Sequence, residues 1–193
     1  MRKKKTWLIG ALGLITFITM MTWFFPYSPF SVYKSYSYQA YKVTSSDGSY
    51  STRVANFRDT YEKDLKEDQE NEYANVTIVR TEGILTTFEQ DWLIHMEKVS
   101  FGRKDIGTML FEVERDKEML LDLLVQVDYT REQREYLMYC IESFSSIEDG
   151  LKELQHEKFA SRSELNRRWD NIYVDYLNSF SLYVTFYQSQ FLF

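Results

Sequence analysis

The reactive side chains in this chain are few. It has one cysteine, Cys140, and two histidines, His95 and His156. A thiol nucleophile activated by an imidazole would have to be Cys140 with His95. Both fall at apolar positions of helical repeats, where a small core filler and an interface histidine are expected, and a reactive thiol needs an exposed, electropositive setting. Glu153 and His156 form a Glu-x-x-His pair at i, i+3. Bundles that hold two irons use that motif twice with two further glutamates. Here it occurs once, and zinc would need more His or Cys ligands. The acidic run Asp59, Glu62, Asp64, Glu67, Asp68, Glu70 and Glu72 lacks the spacing of a calcium loop and reads as a solvated helix face. No Gly-rich phosphate loop or Gly-x-Ser-x-Gly elbow is present. No catalytic residue, metal ligand or cofactor is therefore assigned, and an enzyme is not expected.

The elements are more informative. Residues 7–25 are nineteen consecutive uncharged residues, preceded directly by Arg2, Lys3, Lys4 and Lys5. As a helix they are about 28 Å long, close to the roughly 30 Å of a bilayer's hydrocarbon. Trp7 and Trp23 mark the headgroup levels, with Phe25 closing the stretch; Pro26 and Pro29 stop the helix. The chain is expected to bind the lipid bilayer through residues 7–25. Cations stay cytoplasmic, which places residues 1–6 inside and the bulk of the chain outside a cell membrane, as a single-pass signal-anchor protein. A cleaved signal peptide has a shorter apolar core and a small-x-small exit. The exit here is bulky and proline-bearing. The anchor has no small-xxx-small face to drive its dimerisation.

Composition bounds the rest. The 164 residues after residue 29 carry 19 basic and 29 acidic residues, a net charge of −10. Phosphate neutralisation drives nucleic-acid binding, so no nucleic-acid partner is expected. The same charge predicts a domain that stands off an anionic lipid surface. A lone cysteine excludes an internal disulfide and fits a bacterial envelope protein.

After a Tyr-rich linker over 26–49, in which the partly alternating residues 30–43 fit a short strand or an extended linker and 45–49 a turn, the sequence reads as a mainly all-α extracytoplasmic domain over 50–193. Val54, Phe57, Tyr61 and Leu65 stripe a first helix. Ile78, Thr81, Leu85, Phe88, Trp92, His95 and Val99 step by 3 and 4, a coiled-coil-like seam on one helix. A loop over 100–105 leads to a helix over about 105–127, whose apolar stripe Lys117 interrupts. Thr130 to Gln133 and Ser161 to Glu164 are capping boxes that open two more helices, the first with a kink expected at Gly150. Residues 180–193 are uncharged, and their pattern fits helix and strand equally. Four to five such helices pack as an antiparallel bundle.

The function expected from this is a structural or protein-interaction component of the cell envelope, engaging a membrane or envelope protein. The candidate interface is the aromatic C-terminal stretch, Tyr183, Phe186, Tyr187, Phe191 and Phe193, together with the Tyr-rich segment 30–43. The alternative is a ligand-binding or sensory module. With six residues inside, it would need a transmembrane partner, so co-purification of a second membrane protein discriminates between them. A homo-oligomer is left open.

Overall fold

The computed structural model describes residues 2–45, 48–70 and 74–191; the side chains of 2–6, 44 and 45 are not described. The protein is mainly helical. Seven helices and four short strands lie among the described residues: α1 (Arg2–Phe24), β1 (Ser35–Tyr38), β2 (Thr44–Ser45), β3 (Gly48–Ser49), α2 (Tyr50–Gln69), α3 (Val76–Phe88), α4 (Asp91–Ile94), β4 (Val99–Gly102), α5 (Arg103–Gln126), α6 (Arg131–His156) and α7 (Arg162–Ser189).

Caps set the helix starts. Ser49 accepts the Thr52 amide to open α2, and Asn75 accepts the Thr77 amide at 2.9 Å to open α3. At α6 the capping box is complete: Thr130 Oγ1 takes the Gln133 amide and Gln133 Oε1 the Thr130 amide. Each bond satisfies a donor that helix geometry leaves free. At α7 only half the expected box forms. Ser161 accepts the Glu164 amide, while the Glu164 carboxylate pairs with Arg168 instead.

The long helices α5, α6 and α7 lie side by side, with α2 and α3 covering them. Gly150 does not kink α6, which runs unbroken to His156. A Cβ there would sit 2.9 Å from Ile172 Cγ1, so α7 approaches α6 closely at the glycine.

Two expectations change. The seam over 78–99 is not one helix. It ends at Phe88, restarts at Asp91 for one turn, and gives way to a strand over Val99–Gly102, where the end of the seam and a loop from residue 100 were expected. No Pro or Gly causes the break. Remote side chains hold it: Arg58 grips both oxygens of Glu89, while Gln90 donates to Glu112 at 2.9 Å and accepts Trp92 Nε1 at 2.7 Å. In the Tyr-rich segment 26–49 the strand reading of 30–43 holds, and the segment packs on the helices. β1 pairs antiparallel with β4, Tyr36 opposite Phe101, and Tyr27, Tyr36 and Tyr38 are buried.

α1 stands apart. It is the one helix among the described residues long and apolar enough to cross a membrane, over Trp7–Phe24, and none of that stretch is buried.

Candidate interaction surface

The aromatic residues of α7 repeat every three or four positions, so they share one face. That face is the centre of the molecule. Trp169, Tyr173, Tyr176, Phe180, Tyr183, Phe186 and Tyr187 are all buried. Trp169 is stacked by Phe101, ring centroids 4.2 Å apart, and by Tyr38 at 5.8 Å. Trp92 meets it edge-on at 5.9 Å. Phe57 of α2 points its ring edge-on to Phe180, Tyr183 and Tyr187.

Hydroxyl partners explain why several of the buried rings are Tyr and not Leu, though the Tyr176 hydroxyl has no partner among the described residues. A buried hydroxyl without a partner is costly. Tyr183 bonds Thr81, Tyr187 bonds Asp64 at 2.9 Å, Tyr38 bonds Asp170 at 2.9 Å, and Tyr50 donates to the Phe88 carbonyl at 2.9 Å. Each bond ties α7 or α2 to another element. Burial pushes these phenols well above the ordinary tyrosine range, so they stay protonated donors.

The candidate interface therefore changes character. Tyr183, Phe186 and Tyr187 are core, because α2, α3 and α6 cover the side of α7 that carries them. Phe191 is half exposed, and Phe193 lies outside the described residues. The two readings of residues 180–193 resolve in favour of helix through Ser189. Trp7 and Trp23 of α1 are exposed, and Phe25 follows the helix end.

The reactive groups are not brought together. Cys140 is fully buried in α6, and burial alone pushes its thiol up to about 12. His95, expected on a buried seam, caps α4 with a side chain 62% exposed and lies 3.6 Å from Asp91. Glu153 is taken by Arg168. Among the described residues no group of three or more His, Cys, Asp and Glu is placed to hold a metal ion.

The stripe of α5 holds a buried acid. The residue that interrupts it inward is not Lys117 but Asp116, with no exposed surface. Its position three after Val113 and four before Leu120 was the available signal. Arg115 donates to its Oδ1 at 2.9 and 2.7 Å, while Oδ2 has no hydrogen-bond partner among the described residues. Lys117 instead reaches Glu148 of α6, which Lys152 also contacts.

The end of the domain nearest α1 is built from cations. Arg162, at the start of α7, donates to the Trp23 carbonyl and lies over the Trp23 ring at 5.3 Å. Arg103, at the start of α5, donates to the carbonyls of Tyr27, Gln155 and Glu157. Tyr27 donates in turn to the Phe101 carbonyl at 3.1 Å. These bonds join the exit of α1 to the starts of α5 and α7 and the end of α6.

No family model, curated protein or solved structure matches the chain.

Proposed function

We propose that this chain is a single-pass membrane protein, anchored by α1 with its N-terminus in the cytoplasm. Its helical domain works outside the cell membrane as a structural or protein-interaction component of the envelope. The observation that carries this reading is the bare apolar surface of α1 joined directly to a packed domain. An exposed apolar face of that size needs lipid or protein to cover it. Two threonines of α1 satisfy their hydroxyls on its own carbonyls, Thr16 on Leu12 and Thr19 on Ile15, as a helix in hydrocarbon requires. Retention of the anchor, against cleavage as a signal sequence, is supported by the exit residues themselves. Trp23 is held by Arg162, and Tyr27 and Ser28 are buried in the domain.

The bundle is read as antiparallel because connections of four or five residues join α5 to α6 and α6 to α7. The partner is a membrane or envelope protein. With Tyr183, Phe186 and Tyr187 in the core, its docking surface is assigned to the outer α6–α7 face, where Tyr139 is exposed beside Leu182.

The topology is tested with external protease on protoplasts. The domain should be digested while intact cells' cytoplasmic markers survive. Protection until lysis, or release into the medium of a chain lacking residues 1–29, overturns it. A photo-crosslinker in place of Tyr139 should trap an envelope protein that one in place of exposed Val125 does not; equal yields at both sites remove the docking assignment.

A further inference from the structure

The segment that leaves α1 does not run away from it. After the turn at Phe25, whose amide bonds the Met21 carbonyl, the chain folds back along the helix. The Val32 amide donates to Thr22 Oγ1 at 3.1 Å. The Phe30 ring meets the Phe17 ring edge-on, centroids 5.5 Å apart. Phe17 lies seven residues before the end of α1, about 10 Å back along its axis. The apolar residues of the fold-back are open to the outside: Phe30, Val32 and Tyr33 are 50%, 66% and 77% exposed, whereas Ser28 before them and Ser31 among them are buried. Polar side chains turned in and apolar ones turned out is the reverse of a loop built for water.

We propose that residues 28–33 form a second membrane contact, a wedge inserted into the outer leaflet beside α1, with Phe30 and Val32 among acyl chains and Tyr33 at the headgroups. The inference rests on the reading of α1 as a membrane anchor. If α1 spans the bilayer to Phe24, a ring beside Phe17 is already below the headgroups. Lipid is the occupant because the patch continues the lipid-facing surface of α1 without a break. Backbone groups at that depth need protein partners, and three successive amides of the wedge have them: the Ser31 amide bonds the Ser28 carbonyl, the Phe30 amide bonds Ser28 Oγ, and the Val32 amide bonds Thr22. Charge agrees. Lys34 follows the wedge, and Lys158 and exposed Phe159 lie on the α6–α7 loop, which Arg103 and Arg162 hold at the same end. An aromatic ring beside cations suits a phosphate-bearing interface. The domain is then seated on the membrane at this end despite its net negative charge.

The test is depth-dependent spin labelling of the full chain, reconstituted into vesicles of phosphatidylethanolamine and phosphatidylglycerol. Phe30→Cys and Val32→Cys each carry the label. Ile15→Cys marks the anchor and Val125→Cys marks water. The unaltered chain is the blank, since Cys140 is buried. Val32 serves as the second site because its contribution to the turn is a backbone bond. The ratio of oxygen to nickel-chelate collisions at 30 and 32 should rise several-fold above that at 125 and approach that at 15. Water-like ratios at 30 and 32 with a lipid-like 15 overturn the wedge and leave the anchor standing. A water-like ratio at 15 removes the anchor and the wedge with it. Shielding of 30 and 32 from both reagents assigns the patch to a protein, a second copy or a partner, and overturns lipid as its occupant.

Discussion

At the scale of single residues, Trp92 and Asp116 make opposite contributions. Trp92 is 4% exposed and touches Tyr38, Phe101, Trp169, Tyr173 and Tyr176. Trp92→Ala removes the hub of that cluster and should cost about 3–5 kcal/mol in denaturant unfolding of the protein. Asp116 is a buried carboxylate with one oxygen unpaired. Burial, partly offset by Arg115, raises its pKa above the ordinary 3.8. The folded state then keeps the proton in a range where the unfolded chain has lost it. Stability from this position falls as pH rises from that ordinary value through the raised one. Asp116→Asn should therefore unfold at higher denaturant than the wild type at pH 7. The gap should close as pH falls towards 4, and a constant gap across that range would mean that the carboxylate is not the cause.

At the scale of elements, two glycines in helices separate by what faces them. Alanine in place of helical glycine gains about 0.5–1 kcal/mol from backbone entropy. At Gly83 of α3 the nearest atom to a new Cβ is the flexible end of Met119, 3.1 Å away, which can swing aside. Gly83→Ala should raise the melting temperature. At Gly150 the obstacle is Ile172 Cγ1 at 2.9 Å, close to the α7 backbone and unable to move alone. Overpacking of that kind costs about 1–3 kcal/mol and outweighs the gain. Gly150→Ala should lower the melting temperature, and equal shifts at the two sites would show that α6 and α7 are not in close approach.

At the scale of the whole molecule, α7 is the element around which the rest is assembled. α2 and α3 reach it through Phe57 and Phe88, α6 lies along it, and β1 and β4 stack on Trp169. Deleting residues 181–193 removes Tyr183, Phe186 and Tyr187, three fully buried rings. Each is worth about 3 kcal/mol or more, against a total stability of about 5–15 kcal/mol. The truncated chain should lose its cooperative unfolding transition altogether. Retention of most of that transition would return these residues to the surface role first expected of them.

The sequence by itself determined whatever depends on neighbours within a few turns of helix. The uncharged run over residues 7–25, the caps at Thr130 and Ser161, and the apolar stripes through Phe57, Phe88, Phe144 and Trp169 all stand where periodicity placed them. Tertiary structure decided what depends on residues distant in the chain. The seam could not be seen to break at Glu89 because Arg58 and Glu112 hold the break from other helices. His95 looked buried only while that helix was read as continuous. The aromatic face of α7 was visible, but periodicity tells which residues share a face and not how many elements cover it. The fold-back of residues 28–33 against α1 left no periodic trace, since it is set by single bonds to Thr22 and by the grip of Arg103 and Arg162 at the exit. Local spacing carries the helices; the partners that arrive from elsewhere in the chain decide which of their faces meet protein and which meet lipid or water.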